Sequence, residues 1–345
     1  MSQTNEIPRS EILFLTDAQD CNPNGNPMND DRPRRDPETG QAIITDVRLK
    51  RYLRDQLADD GYDIYVKKMG GRSYGRTTLA TDVLGDISDA DDLDDIEDVG
   101  AAFLDAATDV RYFGATLSFN SSDDEEEEEL RTALAGAFPN NYQGPVQFLP
   151  ARSLNAVEEN EEYDSLTSVI STGDDNRQGG FGLDDKRIVY GIFPFYGLVD
   201  GESAKDTHLS PRDVERLDTL CWRSIKNQTT SRSKVGQAPR LYLRVEYEDE
   251  HYHMGDLQNL VTLDEERSAD APRSVVNVTV DLTALVEALH DESDRIDTVH
   301  AIGNRNLSVV CDGTEHSADA IESVIQHDDY AVHAIDPYEE RDLAE

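Results

Sequence analysis

The residues best suited to chemistry in this chain make a binding kit, and no common catalytic constellation accompanies them. Residues 231–237 read Ser-Arg-Ser-Lys-Val-Gly-Gln, directly after a segment with helical periodicity. Exposed backbone N–H groups together with Arg232 and Lys234 suit phosphates whatever the base sequence. Asn22 and Asn24, in the run Cys21-Asn22-Pro23-Asn24-Gly25-Asn26-Pro27, supply amides that hydrogen-bond sugars or bases. Tyr242 stands between Arg240 and Arg244 on a candidate strand. It reads either as a base-stacking platform or as plain strand propensity.

Catalytic patterns are missing. There is no phosphate-cradling GxxxxGK[ST], no HExxH, and no GxSxG on a strand-to-helix turn. Asp17, Asp20 and Asp36 are the one trio near the first strand that could gather around Mg²⁺. In so acidic a chain, chance neighbours are the better reading, and neither a metal nor a cofactor is expected. His251 and His253 have no carboxylate at metal-ligand spacing and read as surface residues. Cys21, Cys221 and Cys311 are far apart with no CxxC pair, so they are expected to be reduced and buried.

Several elements must position this kit. Ile12 to Leu15 is an apolar run of strand length, and a polar Pro/Gly-rich loop follows to Gly40. That loop is expected to be turns, with neither helix nor sheet. Thr45 or Asp46 then caps a helix to about Ala58. Leu49, Tyr52, Leu53, Gln56 and Leu57 share its buried arc, and Arg48, Lys50, Arg51 and Arg54 fill the other side. Strands are expected at 144–149 and 187–199. A second helix starts at Ser210-Pro211-Arg212-Asp213, a capping box with proline in the first turn. In the strand that follows, Leu241, Leu243, Val245 and Tyr247 face one way, and Arg240, Tyr242, Arg244 and Glu246 the other. Beyond 250 come a strand near 275–280, a helix at 282–290 and a strand at 307–310, with a frayed tail after 335. The fold class is α+β: a βαββαβ ferredoxin-like plan with a long insertion after its first helix.

Charge is the strongest compositional signal. Asp plus Glu number 72 against 32 Lys plus Arg, a formal net charge of −40, and only seven of the cations are Lys. Carboxylate excess with few lysines is what molar intracellular salt selects, so a halophilic source follows, and acidity then says little against nucleic-acid binding. Residues 32–76 carry eleven basic and seven acidic side chains, and 216–244 carry seven basic side chains with the single acid Asp218. Between them, residues 81–130 hold eighteen acids and one Arg. The second island has too few acids to neutralise itself, which favours phosphate partners over internal ion pairs. The acid run Asp123 to Glu129 reads as a solvated loop or helix start. No apolar run is long enough for a membrane span, and the first ten residues have no apolar signal core, so a cytoplasmic protein without a membrane partner is expected.

With these residues laid out, the sequence strongly resembles the Cascade backbone proteins of CRISPR subtype I-B, the Cas-seven (Csh-two) family of the RAMP superfamily. The matching segments are E-I-L-F-L at 11–15, N-P-N-G-N-P at 22–27, T-D-V-R-L-K-R at 45–51, D-V-R-Y-F-G-A at 109–115, G-P-V-Q-F at 144–148, R-S-L-N at 152–155 and S-R-S-K-V-G-Q at 231–237. They fall in the family's order across roughly 10–250. Cys21 before the turn, Asn26 and the long acid runs depart from the pattern. The resemblance implies an RRM-like palm at 8–60 and 144–250 and an inserted acidic fingers region at 61–143. It further implies a thumb hairpin at 171–190 around Gly179, Gly180, Phe181 and Gly182. The last hundred residues carry little of the resemblance; 251–335 is expected as an extension packing on the palm and 336–345 as a frayed tail.

Copies would polymerise along CRISPR RNA, bind it independently of sequence, and support guide–target DNA pairing in antiviral defence. Partners would be CRISPR RNA, target DNA through the guide, other copies, and Cascade subunits including the repeat-handle-binding and RNA-processing RAMP proteins. The RNA-binding residues expected are Asn22, Asn24, Arg32, Arg48, Lys50, Arg51, Arg152, Asn155, Arg232, Lys234 and Gln237. No enzymatic activity is expected. The alternatives are a RAMP endoribonuclease processing precursor RNA, for which His208 is the only histidine before residue 251, and a protein-interaction module whose basic islands meet acidic neighbours.

Overall fold

Ile12, Leu13, Phe14 and Leu15 are all fully buried because their strand runs through the middle of a sheet covered on both faces. The computed structural model describes residues 7–67, 73–85, 87–119, 125–160, 166–167, 182–183, 186–228 and 233–338. The elements that position the site are β1 (Ser10–Cys21), β2 (Gln41–Ile44), α1 (Asp46–Asp59), β3 (Val146–Phe148), β4 (Ala151–Ala156), β5 (Ile188–Val199), α2 (Pro211–Lys226), β6 (Gln237–Tyr247), β7 (Ile296–Gly303) and β8 (Ala331–Ala334). The main sheet has the order β8-β7-β6-β1-β5-β3. Its inner pairings are antiparallel, with Leu13 opposite both Tyr196 and Leu243. Only β8 joins in parallel, on β7. The C-terminal region therefore does more than pack on the sheet: it supplies two of its strands.

One face buries Ile12, Phe14, Phe193 and Tyr242 under Leu49 and Leu53 of α1 and Leu217 and Leu220 of α2. The other buries Leu13, Leu15, Leu243 and Val245 under residues of 257–325, among them Val280, Leu285, Leu289 and Val309. Those residues belong to a second sheet of Thr262–Leu263, Thr279–Asp281, Ser308–Cys311 and Thr314–Ser317, with a helix at Thr283–Asp291. The alternation read in β6 holds, but both of its faces are interior. Pro239 fits a central strand because the β1–β6 register shifts between Leu15 and Thr16, so its missing N–H falls at a bulge.

The two helices begin as their caps dictate. Thr45 Oγ1 accepts from the Arg48 N–H at 3.3 Å, and Ser210 and Asp213 form the reciprocal capping box. The loop after β1 contains a short antiparallel ladder, Gly25–Asn26 with Arg32–Pro33, so its Pro and Gly residues do not exclude sheet. Residues 61–143 build a separate core from Tyr65, Phe103, Val110, Leu134 and Phe138. The acid run leads into a helix at Glu125–Ala137. Cys21 and Cys221 are buried, whereas Cys311 is only half-buried. Among the described residues no helix is long and apolar enough to cross a membrane.

The second basic island is the main correction. Its described arginines are neutralised, mostly by acids that chain distance hides: Arg223 by Asp60 at 2.7 Å and Arg240 by Asp17 at 2.8 Å, with Arg216 held by Asp213, just outside the island, at 2.5 Å. Arg244 meets Asp218 at 2.7 Å and Glu246 at 2.8 Å. All four guanidinium groups are buried or nearly so. A charged side chain taken from water requires such partners, so these are core pairs, closed to phosphate.

Candidate nucleic-acid interface

Three segments distant in sequence meet at the end of β1. The Asn22 N–H donates to the Ser233 carbonyl at 2.8 Å, and the Gln19 N–H to that of Gly236 at 2.9 Å. Gly236 has φ +119°, and a Cβ there would lie 2.2 Å from the Gln19 carbonyl, so only glycine lets the strands approach this closely. The N-terminus of α1 closes the third side. Tyr52 donates its hydroxyl proton to the Pro23 carbonyl at 2.8 Å and accepts from Gln237 Nε2 at 3.2 Å. Thus Asn22, Asn24, Arg48, Lys234 and Gln237 are brought together.

Their roles differ. Asn24 is buried; its Oδ1 accepts from the N–H and hydroxyl of Thr45 at 2.9 and 3.0 Å. It fixes the start of α1, and its buried Nδ2 donates to the Gly25 carbonyl at 3.3 Å, so this side chain orders the turn. Asn22 is also buried, its Nδ2 donating to the Asp31 carbonyl at 2.7 Å, while its Oδ1 has no partner among the described residues. Lys234 donates from Nζ to the Asn22 carbonyl at 2.5 Å. Burial, then the nearby positive charge of Arg48, lowers its pKa to about 8. The Arg48 guanidinium lies 5.7 Å from the Tyr52 ring centroid. Neither cation has a carboxylate within 4 Å among the described residues. Two neighbouring cations, with Asp31 attracting Lys234 from beyond ion-pair distance, can serve as an anion site.

The other expected residues lie elsewhere or are already paired. Lys50 points away from this group, donating to Gln147 Oε1 at 2.8 Å, with Asp46 at 4.0 Å and the Phe113 ring centroid at 5.8 Å. Burial lowers its pKa. Arg51 pairs with Asp55 at 2.7 Å, Arg32 with Glu159 at 3.1 Å and Arg152 with Asp36 at 2.6 Å. Asn155 is buried and ties β4 to β5, with Nδ2 donating to the Tyr190 carbonyl at 3.0 Å and Oδ1 accepting from the Ile192 N–H. It is a strand staple, closed to RNA. Tyr242 has no exposed surface, sits edge-on to Phe14 at 5.7 Å and donates to Asp218 at 2.7 Å. A stacking platform needs an open ring, so that expectation is overturned.

Arg232, Gly179, Gly180 and Phe181 lie outside the described residues. Gly182, with Leu183, pairs antiparallel with Leu166–Thr167.

The Asp17, Asp20 and Asp36 trio does not gather. Asp17 faces Arg240, Asp20 accepts from Asn160 at 2.8 Å and Asp36 pairs with Arg152. Burial pushes the Asp17 carboxyl up against the opposing pull of Arg240. Among the described residues no group of acids, His and Cys could hold a metal ion. His208 sits apart, 3.5 Å from Asp105, at a cavity with Ile7 and Ser210.

One cation escaped the sequence reading. Arg34 donates its backbone N–H to the Asn24 carbonyl at 3.1 Å, and its buried Nε has no partner among the described residues. The run Arg32-Pro33-Arg34-Arg35 was the available signal, a cluster of three guanidinium groups in one short loop.

Comparison with known proteins places this geometry in a family. The profile described as "CRISPR-associated protein Cas7" matches residues 8–283. A protein of Haloferax volcanii, "CRISPR-associated protein Cas7", is 66% identical over 338 residues, 98% of this chain and 99% of that protein. A solved chain of "CRISPR RNA-guided surveillance complex, pre-nicking" shares the fold with TM-score 0.50 at 14% identity, covering 95% of this chain and 97% of that one. The profile spans the interface and both helices that frame it, and the relative is matched almost end to end; the chain belongs to the CRISPR-associated Cas7 family.

Proposed function

We propose that this chain is the backbone subunit of a CRISPR interference complex of subtype I-B, polymerising along CRISPR RNA and holding it by its phosphates. The observation that carries this is the pair Arg48 and Lys234, two cations with no carboxylate within 4 Å among the described residues of a chain of net charge −40. Backbone groups of 22–24 and 233–237 surround them, a set that serves any base sequence. Family membership supports the reading, and the printed name of the similar complex, an RNA-guided one, agrees with it. Target DNA then pairs with the held guide, and other copies and Cascade subunits flank this one in the cytoplasm.

In this reading β1, α1, β3, β5, α2 and β6 are the RRM-like palm, with sheet order β6-β1-β5-β3 and both helices on one face. Residues 61–143 are the fingers. The thumb is 171–190, within which Gly182–Leu183 pairs with Leu166–Thr167. The subunit has no catalytic role: Asp17 is held by Arg240, and His208 shares its cavity with none of the interface residues.

Purifying the protein at high salt and sequencing the RNA that accompanies it tests the proposal. Fragments of many different spacers are expected. Absence of RNA, or metal-dependent cleavage by the pure protein, would overturn it.

A further inference from the structure

The cations without carboxylate partners do not all lie in the interface above. Lys226, at the C-terminal end of α2, and Arg305, just after β7, both line a cleft of about 380 Å³. Both are exposed, and neither has a carboxylate within 4 Å among the described residues. Trp222 forms part of the wall, and Asp319 also lines the cleft without pairing with either cation. The cleft is firmly built. The Asn304 N–H donates to the Arg240 carbonyl at 2.8 Å and its side-chain amide to that of Pro239 at 3.3 Å, which pins the turn bearing Arg305 to β6. The Lys226 ammonium lies 4.8 Å from the Tyr338 ring centroid, so among the described residues an aromatic ring holds it and no acid pairs with it.

The position of this cleft relative to the first site is informative. Gln237, whose amide reaches Tyr52 and the Lys234 carbonyl, and Ala238, which lines the cleft, are consecutive residues of β6. Consecutive strand residues are separated by only ~3.4 Å. The two sites thus adjoin at the start of one strand.

We infer that Lys226 and Arg305 form a second phosphate site, continuing the track of a single-stranded RNA from Arg48 and Lys234 around the start of β6. The inference rests on the proposed function and extends it to a defined path. Single-stranded phosphodiester is the ligand class that suits two spaced cations, amide groups and an aromatic wall.

Lys226→Gln with Arg305→Gln tests it, since both side chains are exposed and their loss leaves the core intact. Binding of a short homopolymeric RNA and of one several times longer is measured at high salt, beside Arg48→Ala with Lys234→Ala. The cleft variant should bind the long RNA about tenfold more weakly and lower its salt slope by about 1.4, for two lost phosphate contacts on a single strand. Affinity for the short RNA should be unchanged, and photocrosslinking of wild type to the long RNA should label a peptide containing Trp222 or Tyr338. Full affinity for both lengths, with binding lost only in the Arg48 and Lys234 variant, would refute the second site and leave the proposed function standing. Failure of the wild type to bind either RNA would refute both. Loss of RNA-free self-association in the cleft variant, with RNA affinity kept, would assign the cleft to a second copy and refute the inference.

Discussion

Lys234 and Asn22 are 212 positions apart, yet the ammonium of one donates to the backbone carbonyl of the other at 2.5 Å. The contact carries the cation of a loop after α2 to the end of β1. The place it reaches sets a pH dependence. Lys234 titrates near 8, below the ordinary 10.5, because burial and Arg48 disfavour its charge. A phosphate beside it would raise that value, so binding takes up a proton between the two.

RNA affinity should therefore be flat below pH 8 and fall as pH rises through about 8. The free protein behaves oppositely, gaining stability from pH 8 towards 10.5, because the unfolded chain binds the extra proton there. Binding isotherms from pH 6.5 to 9.5 check this. Lys234→Gln should flatten the affinity profile, and an unaltered decline in that variant would place the titrating group elsewhere.

Cations already paired should matter less than unpaired ones. Arg48→Ala should weaken RNA binding about tenfold, the scale of one charge-assisted phosphate contact. Arg51→Ala and Arg152→Ala should change it less than threefold, because Asp55 and Asp36 hold those guanidinium groups. Fluorescence anisotropy on all three ranks them, and the reverse order would mean that the ion pairs open on binding.

Tyr242→Phe is a test of the buried ring. The hydroxyl bond to Asp218 is lost while Arg244 continues to hold that acid, so stability should drop by about 1 kcal/mol. RNA affinity should not move. A selective loss of affinity without loss of stability would mean that the hydroxyl, and not only the core, serves the RNA.

Asp109 joins the inserted region to α1. Its carboxylate accepts from the Tyr65 N–H at 2.7 Å, the Val66 N–H at 3.2 Å and Arg54 Nε at 2.7 Å. Asp109→Asn leaves Arg54 buried without a counter-charge and should cost about 3 kcal/mol in thermal or denaturant unfolding. A wild-type melting curve would show that this junction adds nothing to stability.

Assembly should depend on salt in an unusual direction. Copies of net charge −40 repel at low ionic strength, whereas at molar salt the Debye length is about 3 Å and repulsion is nearly gone. Oligomers whose mass grows with RNA length should form at high salt and dissociate as salt is withdrawn. Light scattering across RNA lengths and salt decides it: one subunit per RNA at every length would end the filament reading.

Local pattern carried the fold well and the site poorly. Thr45, the capping box at Ser210 and the apolar run at 12–15 act within a few residues of themselves, so they were legible in the sequence. Gly236, Asn22 and Asn24 were legible as turn residues, though their architectural role was not. The misreadings share one cause. Whether Arg223 or Arg240 is free depends on Asp60 and Asp17, which lie 163 and 223 positions away, and a charge count in a window cannot see them. Tyr242 failed for the same reason: alternation says which face a side chain takes, and only tertiary packing says whether α2 lies on it.

The covering of both sheet surfaces, by helices on one side and by residues 257–325 on the other, bears on what such a subunit could ever discriminate. An open sheet invites bases to lie on aromatic rings, where purines and pyrimidines differ in grip. Here the rings of Phe14, Phe193, Tyr242 and Tyr247 are sealed inside. In the proposed reading, a strand of nucleic acid meets backbone groups and cations at the loop end, which grip its phosphates alike under any letter. On that reading the subunit would be illiterate by construction, and a spacer acquired from a new invader would be held no differently from an old one.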